Sequence, residues 1–442
     1  LLSAFISAFR TPDLRKKILF TLGIIAIYRF GATLPSPGVA YGNVQECIKV
    51  MQAGDANGVF TLLNLFSGGA LMSLSVFALG IMPYITASII LQLLTVVIPR
   101  LEQLRKEGQA GQAKITQYTR YLTLGLAILQ SSAFVALARS GQLFNNQCND
   151  YPIVPPTALP NWVTLTALVT TMTAGTGVVM WLGELVTDRG VGNGMSVLIF
   201  TSIAARLPSE GWTILQNQGP WGFAGIIAVV LAVIALVVYI EQAQRRIPVQ
   251  YAKRMVGRRM YGGTSTYIPM KVNQAGVIPV IFASSLLYIP KLVLDFTRSD
   301  NPGKVWVWFS NNIANPASWQ YITLYGLLII FFTYFYVSIT FNPTEIADNM
   351  KKYGGFVPGI RPGKPTADYL DFIQSRITLP GALYLGIIAV LPNLFFIVLD
   401  SQQYSNFPFG GTAVLIMVGV GLETVKQIES QLMQRSYEGF LR

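Results

Sequence analysis

The sequence predicts an all-α polytopic membrane protein with ten transmembrane helices, and three observations carry that reading. Of 442 residues, 52% are hydrophobic and only 12% are charged, where a soluble domain carries about 25% charged residues. Windows of about 20 apolar residues, the length a helix needs to cross roughly 30 Å of hydrocarbon, recur along the whole chain. The basic residues also divide between two faces. Lys49, Arg139, Arg206, Lys291, Arg298 and Lys304 lie in loops on one face, Arg29 lies inside the first span, and the rest of the 32 Lys and Arg share the other face with both termini. Lys and Arg flanking spans are retained on the cytoplasmic side, so both termini are expected there. The net charge of +12 is then mostly topological and does not by itself imply nucleic acid.

The windows run approximately 18–35, 75–98, 118–138, 163–183, 194–208, 222–240, 273–294, 321–341, 379–399 and 411–430. The fifth is short unless the preceding "GVGNG" also lies at membrane depth. Spans one to five and six to ten make two halves of similar length, 1–208 and 209–442, as inverted repeats do in transport proteins. Ahead of the second span, "NLFSGGALMS" at 64–73 is too short to cross a bilayer and too rich in Gly and Ser for a stable helix, yet apolar. It reads as a re-entrant segment, which is permitted at membrane depth only where protein or a water-filled cavity surrounds it.

Two loops on the cytoplasmic face stand out. The 6/7 loop, about 241–272, carries seven basic residues against one acid, Glu241, and its "VQYAKRMVGRRMYGG" alternates apolar and basic residues around Gly257 as a short hairpin does. The 8/9 loop, about 342–378, opens on an Asn-Pro helix start and then turns through "GGFVPGIRPGKP", which frames Arg361. Long loops with their own turn chemistry favour a docking surface. A phosphate-rich partner would be held by such Lys and Arg clusters and weakened by salt.

Catalytic chemistry is not legible. Histidine is absent, and there is no Walker-type loop, no HExxH and no Cys-x-x-Cys, so neither a metal nor a cofactor is expected. A proton-coupled transporter keeps ionisable groups at depth, whereas Glu184, Glu241, Asp295, Asp400 and Glu423 all fall at or near predicted span ends. Energy for transport must come from elsewhere. Cys47 and Cys148, the two cysteines, both fall in outer-face loops, where an oxidising compartment would permit a disulfide. Two unrelated thiols is the simpler reading, since loop proximity cannot be read from sequence.

What the spans do carry is amides and prolines: Pro83 and Gln92 in the second, Asn193 before the fifth, and Asn273, Gln274 and Pro279 opening the seventh. Pro within a span bends it, and buried amides hydrogen-bond across helices without charge. The second and seventh spans combine both features and are candidates for a pair that separates and re-closes. On the residues alone, a channel, a secondary transporter of a small solute and a non-conducting scaffold all stay open.

The strings "FSGGALMSLSVFALGIMPYITASIILQLLTVV", "KEGQAGQAKITQYTRY", "MWLGELVTDRGVGNGMSVLIF", "KVNQAGVIPVIFASS", "FNPTEIADNMKKYGGFVPGIRPGKPTADYL" and "FGGTAVLI" closely resemble the SecY family, the channel subunits of the general protein-secretion translocon. They span nearly the whole chain in the expected order. The resemblance implies two pseudo-symmetric five-helix halves closing around an hourglass pore, with a lateral gate between the second and seventh spans. It implies a pore ring of Ile81, Ile85, Met195, Ile199, Ile281 and Ile416, with Met at 195 where the family usually has Ile. It also implies a plug at about 60–73, a short helix filling the outer funnel, through Asn64, Phe66, Ser67, Gly68, Gly69, Leu71 and Met72. Phe66, Leu71 and Met72 are expected to touch the ring, while Gly68 and Gly69 each lower helix stability by about 1 kcal/mol relative to Ala.

The implied polar cluster of the gate is Gln92 with Asn273. Arg258, Arg259 and Arg361 are the implied contacts for the SecA motor or for ribosomal RNA phosphates, and SecE and SecG the implied small membrane partners. Signal peptides, nascent chains and membrane lipid would meet the channel in use. The implied location is a bacterial plasma membrane, or a thylakoid membrane in a photosynthetic source. The expected function is a passive protein-conducting channel, not an enzyme. A dewetted aliphatic constriction gates without charged ligands, which makes the missing acids and histidines a requirement of the task.

Overall fold

The computed structural model of the chain describes all residues except 1–8, 10, 54–66, 140–152, 156–159, 252–253, 257–258, 262–264, 285, 288–306, 310–311, 314–317, 399–410 and 441–442. The described residues are mostly helical. In the first half they form α1 (Pro12–Thr33), α2 (Tyr41–Ala53), α3 (Met82–Val97), α4 (Pro99–Lys106), α5 (Gln109–Arg139) and α6 (Asn161–Arg189), and α7 (Gly194–Gln242) runs on into the second. The second half adds α8 (Trp319–Thr340), α9 (Pro343–Lys352), α10 (Lys364–Val398) and α11 (Gly411–Phe440). Among the described residues, five helices are long and apolar enough to cross a membrane, or six if the bent pair α3 and α4 is one span. The ten expected windows are therefore matched in part. Helices α1 and α11 cover the first and tenth windows without being among the five, Gly194–Ser209 is a shorter apolar helix, and the seventh window is described as helix only over 278–284 and 286–287.

Three boundaries differ from the sequence reading for local reasons. The second window opens at 75, but α3 starts at Met82 because residues 67–81 form tight turns, with positive φ at Gly68, Gly69, Leu74 and Gly80. Pro83 falls in the first turn of α3, where its missing N–H is not needed, so it opens the helix rather than kinking it. Pro279 does the same in the matching segment of the second half: helix begins at 278, with the N–H groups of Val280 and Ile281 donating to the Val277 carbonyl. At its other end α3 stops at Ile98, and Pro99 starts α4 after a 100° bend, since the residue before a proline is pushed out of the helical region. The expected 5/6 loop is instead helix. Pro208, at the expected boundary between halves, lies inside α7, and the backbone breaks at Gly219 (φ 71, ψ 177), a conformation open to glycine.

The all-α expectation is corrected at the two basic loops, which carry strands. Strands β1 (Gln244–Tyr251), β2 (Arg254–Val256), β3 (Arg259–Tyr261) and β4 (Ser265–Lys271) lie in the 6/7 loop, and β5 (Gly355–Phe356) lies in the 8/9 loop. The hairpin read around Gly257 is present as the antiparallel pair β2 and β3. Unanticipated is the ribbon beneath it: β1 pairs antiparallel with β4, and β5 adds to the free edge of β1, giving the order β4-β1-β5. Alternate residues Ile247 and Val249 of β1 turn inward with Met270, against Met350 of α9 and Leu370 and Ile373 of α10. The two loops are thus one body with its own apolar core. Its α9 starts as the Asn-Pro signal predicts, with the Asn342 side chain accepting from the Glu345 N–H.

Within the membrane part, α5 packs on both α3 and α6, α6 on α7, α8 on α10, and α11 on α7. Asn193 caps α7, its side chain accepting from the N–H groups of Met195 and Ser196. That amide serves the helix end rather than joining two helices.

Candidate functional site

The six aliphatic residues sit on five elements that meet at one place. Ile81 is the last residue before α3 and Ile85 lies one turn into it; Met195 and Ile199 follow the Asn193 cap on α7; Ile281 is on the 278–284 helix; Ile416 is on α11. Ile81, Ile199, Ile281 and Ile416 are buried in a single apolar cluster, and Ile85 and Met195 pack partly buried against it. Both halves contribute to the cluster, and among the described residues no Asp, Glu, Lys or Arg is buried. Its one buried polar head, the Tyr28 hydroxyl, is 2.7 Å from Ser202 Oγ and so is satisfied. Met195 is accommodated by Gly183 of α6, where an added Cβ would lie 2.4 Å from its Sδ.

Residues 67–74 lie beside this cluster. They form turns rather than the expected helix: the Leu71 N–H donates to Ser67 Oγ (3.1 Å), Ser73 Oγ donates to the Gly69 carbonyl (3.0 Å), and the Leu74 N–H donates to the Leu71 carbonyl (3.0 Å). Left-handed backbone at Gly68 and Gly69 breaks the helical register that would have put Leu71 and Met72 on a ring-facing stripe. Both instead pack with Leu74 and Leu79 against Phe134 and Val135 of α5 and Leu168 and Met172 of α6. Their expected contact with the ring is corrected; Phe77 and Ile81, further along the same turns, are the residues that enter the ring cluster. The segment is tied to the chain just after α1, because the Ser36 N–H donates to the Leu74 carbonyl (3.0 Å) and the Val76 N–H to the Leu34 carbonyl (2.9 Å). Asn64 and Phe66 lie outside the described residues. Cys47 is buried in the same cluster and is disulfide-bonded, which corrects the simpler reading of two unrelated thiols; Cys148 lies outside the described residues.

The two amides assigned to a polar gate are not brought together. Gln92 is exposed on α3, and no hydrogen bond joins it to Asn273. Asn273 is buried, and its Nδ2 donates to Glu241 Oε1 (2.6 Å) and to the Gly276 carbonyl (3.2 Å). The reason is position: Asn273 stands in the non-helical entry to the 278–284 helix, next to the end of α7, where Glu241 is the nearest acceptor. Glu241, the single acid of the basic loop, is the sequence signal for this pairing. Glu184 has a partner too, since Arg120 Nε and Nη2 donate to its two oxygens, each at 2.8 Å.

Of the docking residues, Arg361 is exposed in a turn between Gly359 (φ 82) and Gly363 (φ 102), with its carbonyl accepting from Thr366 Oγ1 at 2.8 Å. Arg259 opens β3, and Arg258 lies outside the described residues. Sequence reasoning missed two contacts on the turn segment, because both involve backbone. Gly175 of α6 lies against the Val76 carbonyl, and Arg29 of α1 donates to the Gly68 carbonyl.

Comparison with known proteins now bears on this arrangement. The SecY family profile matches residues 75–425. Protein translocase subunit SecY of Mycobacterium tuberculosis is 63% identical over 446 residues, covering 100% of both chains, and that of Streptomyces scabiei is 64% identical with the same coverage. A solved structure described as a protein conducting channel superposes with a TM-score of 0.64 at 18% identity, covering 94% of this chain and 91% of its own. Another, described as Sec61 in the canine ribosome-channel complex, gives 0.59 at 17% identity over 94% and 91%. The solved structures speak for the fold, and the full-length relatives for the family. The chain belongs to the SecY family of protein translocase subunits.

Proposed function

We infer that this chain is a passive protein-conducting channel, which passes unfolded polypeptides across a bacterial plasma membrane and releases hydrophobic segments sideways into lipid. The observation that carries the reading is the aliphatic cluster shared by both halves, in a chain whose described residues bury no Asp, Glu, Lys or Arg. A pore that must admit chemically varied chains cannot rely on fixed charged ligands, and an apolar constriction blocks ions by dewetting. Ile81, Ile85, Met195, Ile199, Ile281 and Ile416 are its ring, with Met195 the most adaptable member, and the turns at 67–73 are its plug. Helix α3 and the 278–284 helix, each opened by a proline, are the two sides of the lateral gate. A hydrophobic segment leaves between them because lipid accepts apolar surface that a wet channel does not. The Asn273–Glu241 bond belongs to the second-half side of that gate.

Both termini and the two basic loops face the cytoplasm in this reading. In this reading Arg258 and Arg259 of the 6/7 loop and Arg361 of the 8/9 loop are contacts for ribosomal RNA phosphates or the SecA motor, with SecE and SecG completing the complex. The channel is not an enzyme, and the driving force comes from its partners. A small-solute transporter is not supported by the translocase relatives.

The test is translocation into vesicles that hold the purified complex. With SecA and ATP, a secretory precursor is expected to become protease-protected, and Arg361→Glu is expected to slow this several-fold without altering insertion or folding. Saturable uptake of a small solute with no protected precursor would contradict the channel reading. Unchanged kinetics in Arg361→Glu would remove that residue from the docking surface.

A further inference from the structure

We propose that Arg29 is a positioning residue that holds the plug segment shut, its guanidinium reaching from α1 to the backbone carbonyl of Gly68. The inference rests on reading residues 67–73 as the plug. Arg29 is the one charged residue in the stretch 18–34, and charge at membrane depth is costly and tends to be kept for function. It stands one turn from the outer end of α1, half-buried, and its Nη1 donates to the Gly68 oxygen at 3.2 Å, its one hydrogen bond among the described residues.

The bland account is that the side chain snorkels toward the outer interface, which places no demand on the residue opposite. Gly68 shows such a demand. Its φ of +67 is left-handed, and an added Cβ would meet Arg29 Nη1 at 2.6 Å and the Ser202 Cα and carbonyl oxygen of α7 at 3.2 Å. The carbonyl is thus offered from a backbone pressed between the guanidinium and a helix, in a conformation suited to glycine. The mount is fixed as well. Tyr28, the preceding residue, is bonded to Ser202 Oγ and stacks on Phe77 with ring centroids 6.1 Å apart.

The contact suits a stopper that must leave. Leu71, Met72 and Leu74 are held by apolar packing against α5 and α6, whereas at Gly68 the hold is one charge-assisted bond to one acceptor. Such a bond shifts an equilibrium by about tenfold or somewhat more. When the plug moves, the guanidinium can turn to water in the outer funnel, so release leaves no buried charge unpaired.

The experiment uses the complete complex in sealed vesicles carrying Ala70→Cys, labelled from the outer side with a membrane-impermeant maleimide and corrected for the same protein without that substitution. Arg29→Gln is expected to speed labelling about tenfold and to raise the resting ion conductance. Arg29→Lys, which keeps a charged donor for the single acceptor, is expected to restore most of the protection. Gly68→Ala is expected to act like Arg29→Gln, and the double variant to be no worse than the worse single one, because both break one contact. Unchanged labelling in Arg29→Gln, or effects that multiply in the double variant, would overturn the latch. Deleting 67–73 separates the two readings: a leak on deletion with unchanged Arg29→Gln overturns the latch alone, and no leak on deletion overturns the plug reading and the latch with it.

Discussion

Ile281→Asp is expected to turn the resting channel into an ion leak. Ile281 is buried with Ile81, Ile199 and Ile416, and among the described residues no buried Lys or Arg is present to pair a carboxylate. Burying a carboxyl group without hydrogen-bond partners is unfavourable in either protonation state, so hydration of the constriction is favoured, and a wetted constriction no longer blocks ions. Resting conductance of the complex in planar bilayers should rise at least about tenfold, with dewetting as the cause. Ile281→Leu, which conserves volume and is tolerated at less than about 1.5 kcal/mol in cores, should stay tight. An equally tight Ile281→Asp channel would move the constriction elsewhere.

Gly175→Ala is expected to destabilise the protein, although helix propensity alone argues that Ala in place of Gly stabilises a helix by about 1 kcal/mol. An added Cβ at Gly175 would lie 1.9 Å from the Val76 carbonyl oxygen and 2.9 Å from its carbon. Both atoms are backbone, so no side chain can swing aside. Val76 is also tied by its N–H to the Leu34 carbonyl, so α6 and the turn segment must part, loosening the packing of Leu71 and Met72 on Leu168 and Met172. The loss should match or exceed the roughly 1–3 kcal/mol of core overpacking, read as a lower Tm of the detergent-solubilised complex together with a leak. Gly125→Ala on α5, where nothing lies within 4 Å, is the control and should be neutral or stabilising. A Tm gain for Gly175→Ala would contradict the close approach.

The apolar windows and the two basic loops were legible because composition and charge carry them directly. The start of α3 was not, since the window 75–98 is apolar throughout and hydropathy does not register the left-handed turns at Gly68, Gly69 and Gly80. The ribbon of β1 and β4 escaped because its partners are separated in sequence and Arg245 and Arg246 mask the inward alternation of Ile247 and Val249; the two-residue β5 carries almost no signal of its own. The six aliphatic residues came from family resemblance, as isolated isoleucines in apolar spans have no distinguishing pattern, and the fold brings all six to one cluster. Arg29 was visible as a misplaced charge, but its partner was not, because a backbone carbonyl looks the same at every residue.

The most direct measurement is a photo-crosslinker placed at Ile85 and, separately, at Ile281 in a complex holding a stalled secretory chain, with Leu129, two-thirds exposed on the outside of α5, as the lipid-facing control. The channel account predicts adducts to the chain from Ile85 and Ile281, dependent on the chain being present, and none from Leu129. No adduct at either ring position would contradict passage of the polypeptide through the aliphatic cluster.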